Sequence, residues 1–220
     1  GYTCQDLFLQ RRLLDSAWET LMRIAADTAD VDALIFLGVP VRNKGKLYNA
    51  AAVLNRGEIL GLVPKSYLPN YGEFYEQRHF VSGLGCLEFM SINGKKIPFG
   101  TNLLFVCEEL RELIVAAEIC EDLWVNMPPS VIHAQAGANL IVNLSASNEM
   151  VGKDSYRRSL VSGQSARLVC GYVYANAGEG ESTQDLVFGG QNMIAENGSI
   201  LAEGERFKNG IVYSEIDVQR

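Results

Sequence analysis

An α+β fold with mixed, largely antiparallel sheets is what this chain predicts, and three features predict it. Apolar residues recur at helical spacing near the start, short apolar runs of strand length follow, and turn signals of the Asn-Gly kind separate several of those runs. The same alternation also suits a doubly wound parallel sheet, but hairpin signals favour strands that fold back on their neighbours. Two sheets face to face, with helices on both outer faces, would bury such strands on one side and the helices on the other.

Taken in order, Gln5 to Ala29 places Leu9, Leu13, Leu14, Ala17, Leu21, Ile24 and Ala25 on one stripe with charges between, which predicts one amphipathic helix. Ala33 to Val39 reads as a core strand. Tyr48 to Leu62 reads as two antiparallel strands around Asn55-Arg56-Gly57. Gly83 to Gly100 is loose and Gly-containing, with a second turn signal at Asn93-Gly94. Asn102 to Cys107 and Leu113 to Cys120 are strand runs. Pro128 and Pro129 suit the start of a helix reaching about Ala136, and Leu140 to Leu144 is a buried strand. Asp154 or Ser155 is placed to cap a helix from Tyr156 to about Cys170, ended by Gly171. Tyr172 to Ala175, Leu186 to Gln191, Met193 to Ala195, Ser199 to Ala202 and Ile211 to Ile216 complete the strands, with Asn197-Gly198 as a hairpin turn. Nothing reads as a linker or an internal repeat.

The chemistry concentrates where Leu113 to Trp124, LIVAAEICEDLW, stops being apolar at Cys120 and two acids follow. Taken alone, a cysteine there is a small buried core residue. At a sheet edge it is also a thiol able to act as a nucleophile, given a base and something to hold the developing oxyanion. His79 and His133 are the chain's two imidazoles and neither lies in a motif, which leaves a carboxylate as base.

A second segment, Lys65 to Phe80 (KSYLPNYGEFYEQRHF), shifts the balance. Lys65 follows the hairpin and opens a loop rich in Pro, Asn, Gly and aromatics, a poor place for a purely structural lysine. A neighbouring carboxylate would keep it charged and aimed at an anionic intermediate. Glu73 is the first choice for that carboxylate and Glu76 the competing one. The plainer reading is a solvated loop lysine with surface acids.

Together, Lys65 with Glu73 in a KxxLPxxGE setting, the strand ending in EICED, and LIVNLSAS resemble the carbon-nitrogen hydrolase (nitrilase) superfamily. The segment from Asn143, NLSASNEMVGKDSYRRSLVSGQSAR, with GYVYANAGEGESTQDLVFGGQNMIAENGSILAEG, is similar to the glutaminase domains of glutamine-dependent NAD synthetases. The resemblance covers essentially residues 1–220. It implies a four-layer α-β-β-α sandwich, a homo-oligomer, and hydrolysis of the glutamine side-chain amide by a Glu-Lys-Cys triad.

In that triad Cys120 is the nucleophile and Lys65 the oxyanion cation, helped by the backbone N–H of Glu121; Glu73, or alternatively Glu76, positions Lys65. Tyr71, Ser147 and Lys153 would hold the amino acid end of glutamine, with Tyr2, Phe74 and Trp124 as pocket walls. The family can carry Arg at the position of Lys153, and Lys offers a point charge instead of a bidentate fork. Arg157 and Arg158 read as helix-surface charges. The general-base Glu belongs to a segment expected a few residues ahead of Gly1, so the domain is expected to be truncated at its amino end. An ATP-dependent synthetase domain is expected after Arg220, or on a partner chain, and would amidate deamido-NAD with the released ammonia.

Absences narrow the function further. The chain has no S-G-G-x-D-S pyrophosphate loop, no GxxxxGK and no GxGxxG. ATP, Mg and deamido-NAD are therefore expected only on the synthetase domain, with no cofactor and no metal here. A formal net charge of −7 argues against nucleic acid as a partner. Five cysteines without a CxxC pair suit free thiols in a reducing compartment, and the cytoplasm is the expected location. No apolar run approaches the roughly 18 residues of a membrane span. Two alternatives stay open: a free-standing amidase acting on an omega-amide or N-carbamoyl compound, and a non-catalytic binding module with the same fold. A papain-like thiol hydrolase ranks below both, for want of a histidine in a partner segment.

Overall fold

The computed structural model describes residues 2–183 and 185–219. Gly1, Gln184 and Arg220 lie outside the described residues. The chain divides into two compact units, Cys4–Leu103, and Leu104–Arg220 with Gly1–Thr3. Each contains one mixed sheet and its helices.

In the Cys4–Leu103 unit, helix α1 (Arg11–Asp27) is followed by strands β1 (Ile35–Asn43), β2 (Lys46–Asn55), β3 (Glu58–Pro64), β4 (Leu87–Ile92) and β5 (Lys95–Gly100). The sheet order is β1-β2-β3-β5-β4, antiparallel except for the parallel β3–β5 pair. Leu21 and Ala25 of α1 pack with Ala50, Ala52, Leu54, Leu62 and Phe99 in a continuous core. The single helix predicted over Gln5 to Ala29 is in fact two pieces. Gln5–Leu9 forms a 3-10 turn, and Gln10 then takes an extended conformation (φ −88°, ψ 128°) before α1 begins. Leu9, expected on the buried stripe, is exposed. The segment read as loose, Gly83 to Gly100, holds the regular β4–β5 hairpin.

In the second unit come β6 (Phe105–Val106), β7 (Ile114–Ile119), α2 (Pro129–Gln135), β8 (Leu140–Ser145), α3 (Lys153–Leu168), β9 (Gly171–Asn176), β10 (Met193–Glu196) and β11 (Ser199–Glu203). Their order is β11-β10-β9-β8-β7-β6, with β7, β8 and β9 parallel and the other pairs antiparallel. A strand flanked on both sides in a covered parallel sheet reads as a near-continuous apolar run, and β7 does so except at Glu118. Val161, Ile141, Tyr172, Tyr174 and Met193 form the core of this unit.

Four two-residue hairpin turns, Lys44-Gly45, Arg56-Gly57, Asn93-Gly94 and Asn197-Gly198, have positive φ at both positions. That is the geometry whose twist matches paired strands. Lys44-Gly45 gives no sequence warning because lysine, unlike asparagine, is not enriched at left-handed positions.

Other boundaries differ for identifiable reasons. α3 starts at Lys153 after Gly152 (φ 80°) with no side-chain cap, so neither Asp154 nor Ser155 precedes it. It ends on Val169 in a left-handed conformation, and Gly171 opens β9. Leu186 to Gln191 is not a strand; its apolar character reflects the burial of Leu186 and Phe188 in a loop. Ile211 to Ile216 is irregular and Ile211 and Tyr213 are exposed. Of Asn102 to Cys107, only Phe105–Val106 pairs. No helix among the described residues is long and apolar enough to cross a membrane.

Candidate active site

The predicted nucleophile stands where β7 ends. Ile119 is the last ladder residue, paired with Leu144 of β8, and Cys120 opens a 3-10 turn running to Leu123. Cys120 has φ 47°, a left-handed conformation that costs a non-glycine residue about 1–2 kcal/mol. Two side chains hold the kink. The N–H of Cys120 donates to Asn143 Oδ1 at 3.1 Å, and the N–H of Ile119 donates to Asp122 Oδ2 at 2.9 Å. Asn143 and Asp122 are both buried. The turn carries Glu121 directly after Cys120.

Ser147 lies just beyond β8 and is also buried. Its N–H donates to Asn176 Oδ1 at 2.8 Å, and its Oγ accepts from Arg157 Nη2 at 3.3 Å and Nε at 3.4 Å. Arg157 is a correction to the sequence reading: it is wholly buried, not a surface charge. Its guanidinium also meets Glu149 Oε1 at 2.9 Å, Gln191 Oε1 at 2.5 Å and the Asn148 carbonyl at 2.8 Å. Arg158, one residue on, pairs with Glu203 at the surface as expected. Lys153 donates to Asn148 Oδ1 and sits 5.2 Å from the Trp124 ring centre, in a cation-π contact. Trp124 in turn meets Tyr156, and Tyr2 stacks on Phe188.

Sequence reasoning missed two residues of this half. Tyr174 is buried, and its hydroxyl has no hydrogen-bond partner among the described residues, although Ser145 and Ser147 lie beside it. Burial first, and then the neighbouring Cys120, pushes its phenol upward. Glu118 is the other. It is wholly buried and accepts hydrogen bonds from the Tyr172 hydroxyl and from the Ser130 N–H at 2.9 Å. Burial raises its carboxyl above the ordinary range, outweighing those donors. The break in an otherwise apolar β7 was the available signal. Cys170 differs chemically from a nucleophile: burial, then Glu118, pushes its thiol up to about 12.

The other half of the predicted site lies in the Cys4–Leu103 unit. Lys65 follows β3 directly and is buried, and its Nζ meets Glu76 Oε2 at 2.5 Å. Glu76 is buried too and takes a second bond from Asn49 Nδ2 at 2.7 Å. Glu76, the competing choice, thus bonds Lys65 directly, and Glu73 is half-buried in the same loop. The lysine backbone is fixed as well: its N–H donates to Asn49 O and its carbonyl accepts from the Gly83 N–H, each at 2.8 Å. A Cβ on Gly83 would fall 2.5 Å from Pro64 Cβ, so this close approach requires glycine. Arg78 and His79 both bond Asp6, tying the far end of the loop. Tyr71 is exposed and meets Phe74 edge to face. A groove of about 620 Å³ in this unit runs between α1 and β1, and no predicted site residue lines it. No group of three or more His, Cys, Asp or Glu suited to a metal ion occurs among the described residues.

The chain is a mixed α+β protein with a buried strand-end thiol and a buried lysine-glutamate pair, and comparison identifies its family. The carbon-nitrogen hydrolase family profile matches residues 1–220, and the chain belongs to that family. A glutamine-dependent NAD(+) synthetase from Mycobacterium bovis is 46% identical over 218 residues, which is 99% of this chain and 32% of that protein. The crystal structure of a glutamine-dependent NAD(+) synthetase from Cytophaga hutchinsonii superposes with a TM-score of 0.82 at 33% identity, covering 94% of this chain and 33% of that one. A carbon-nitrogen hydrolase from Helicobacter pylori shares the fold, with a TM-score of 0.75 at 20% identity over 100% of this chain and 74% of its own. The chain thus spans about a third of the length of the curated relatives it matches.

The elevated Glu118 carboxyl makes stability depend on pH. Unfolded, it titrates near the ordinary 4.5; folded, it keeps its proton to higher pH. Between those values the folded chain binds more protons, so stability falls as pH rises. Compared with Glu118→Gln by urea denaturation from about pH 4 to about pH 8, the native protein loses relative stability above about pH 4.5. A pH-independent difference would mean that Glu118 ionises normally in the fold.

Proposed function

We propose that this chain is the glutamine-hydrolysing domain of a glutamine-dependent NAD(+) synthetase, releasing glutamate and supplying ammonia to an ATP-dependent synthetase domain. The observation that carries this reading is identity of 46% across 99% of the chain with a protein of that name. In the reaction Cys120 Sγ attacks the carboxamide carbon, and the carboxylate expected ahead of Gly1 takes the thiol proton. The tetrahedral intermediate collapses to a thioester as the C–N bond breaks, and the same acid protonates the departing ammonia. Water, activated by that base, then cleaves the thioester and frees the thiol.

Lys65 and the N–H of Glu121 stabilise the oxyanion at both stages. Glu76 bonds Lys65 and orients it, and Glu73 shares the positioning role that the sequence pattern gives it. A buried ion pair is weak support for stability, because apolar replacements of similar volume are often as stable. The burial of Lys65–Glu76 is better explained by chemistry. Ser147 Oγ accepts from Arg157, which leaves its own hydrogen to donate to the substrate. Lys153 supplies a cation for the substrate carboxylate, and Tyr71 completes the contacts to the amino acid end. Tyr2, Phe74 and Trp124 wall the pocket. The same reading makes the protein a cytoplasmic homo-oligomer that binds ATP, Mg and deamido-NAD only on its synthetase domain.

In the full-length protein, Cys120→Ala abolishes glutamine-dependent NAD formation and leaves the ammonium-dependent reaction intact; loss of both would count against a two-site enzyme. Glu76→Gln lowers kcat for glutamine hydrolysis by about 10²-fold or more. An unchanged kcat in Glu76→Gln would remove the positioning role from that carboxylate.

A further inference from the structure

Beneath Cys120 lies a run of buried polar groups that the proposed reaction does not use. Glu118 precedes the nucleophile by two residues on β7. It shares a row across the sheet with Asn143 of β8, and Asn143 with Tyr174 of β9. Tyr172, also on β9, reaches Glu118 with its hydroxyl. All of these side chains are buried.

The hydrogen bonds along this run have a direction. A tyrosine hydroxyl has one hydrogen, and Tyr172 gives it to Glu118. Toward Asn143 it can then only accept, and it does, from Nδ2 at 3.1 Å. The amide of Asn143 is thereby turned with its nitrogen toward Tyr172 and its oxygen the other way. That oxygen accepts the Cys120 N–H at 3.1 Å and the Ser145 hydroxyl at 2.6 Å. Were the amide reversed, a donor would face the Cys120 N–H and the left-handed kink would lose the bond that holds it. On the far side, the Ser130 N–H donates to Glu118 and Gln164 Nε2 donates to Ser130 Oγ, anchoring the carboxyl between α2 and α3.

We infer that Glu118, Tyr172 and Asn143 are positioning residues for Cys120: the acceptor at the far end sets the orientation of the Asn143 amide, and that amide holds the nucleophile's backbone. The inference rests on the reading of Cys120 as nucleophile. It adds a specific role for three side chains that touch neither the reacting sulfur nor the substrate. Ser130 and Gln164 extend the same control into the helices, so a change in their packing reaches the thiol without a change in the pocket wall.

The test is a double-mutant cycle in the full-length protein. Tyr172→Phe keeps the ring and removes the hydroxyl; Asn143→Leu removes the amide. Iodoacetamide alkylation of Cys120 is followed by peptide mapping, with Cys107 as internal control, alongside kcat and KM for glutamine. Each single variant slows alkylation of Cys120 about tenfold and lowers kcat to a similar extent, with KM little changed. The double variant loses no more than the worse single, because both changes cut one chain. Native alkylation and kcat in Tyr172→Phe, or effects that multiply in the double variant, would overturn the inference. If Asn143→Leu does not fold, the Tyr172→Phe rates decide alone. Should the native protein fail to hydrolyse glutamine, the proposed function falls, while the alkylation rates still decide whether the chain positions Cys120.

Discussion

A cysteine with left-handed backbone at the end of a parallel strand is unfavourable by about 1–2 kcal/mol, and the residues around Cys120 are arranged to keep it there. Asn143 holds its N–H and Asp122 holds that of Ile119. The first depends on strand order: Asn143 can reach Cys120 because β8 lies beside β7 in parallel register, with Glu118 opposite Asn143. The short turn that follows needs the strand to stop there. Backbone strain of this kind is characteristic of functional sites, where the surrounding structure over-determines it.

Buried polar chemistry is the second constraint. Lys65, Glu76, Glu118 and Arg157 are ionisable side chains at positions that apolar residues could fill. Each is answered by specific partners, as it must be, since an unanswered buried charge costs several kcal/mol. The environments diverge nonetheless. Lys65–Glu76 and Arg157–Glu149 are ion pairs, whereas Glu118 is met by the donors of Tyr172 and Ser130, and burial raises its carboxyl above the ordinary range.

Much of this was legible beforehand. Strand runs ending at Cys120 and at Leu144 were visible because parallel strands buried on both faces are uniformly apolar, and two of the four tight turns carried the asparagine and glycine that positive φ favours. What escaped did so for physical reasons. Gln10 breaks the first helix without proline or glycine, through backbone conformation alone. Arg157 looks like any charge on a polar helix until Glu149 and Gln191, distant in sequence or separated by a turn, close around it. The bond from Lys65 to Glu76 depends on the 3-10 turn at Glu76–Arg78, and spacing from Lys65 does not encode that contact.

The account as a whole requires that, of five cysteines, Cys120 alone be the nucleophile toward a glutamine amide. The most direct measurement treats the full-length protein with a diazo-ketone analogue of glutamine and maps the modified peptides. Stoichiometric label on Cys120, prevented by excess glutamine, is the predicted result. Label on Cys107 or Cys170, or none that glutamine competes away, would contradict it.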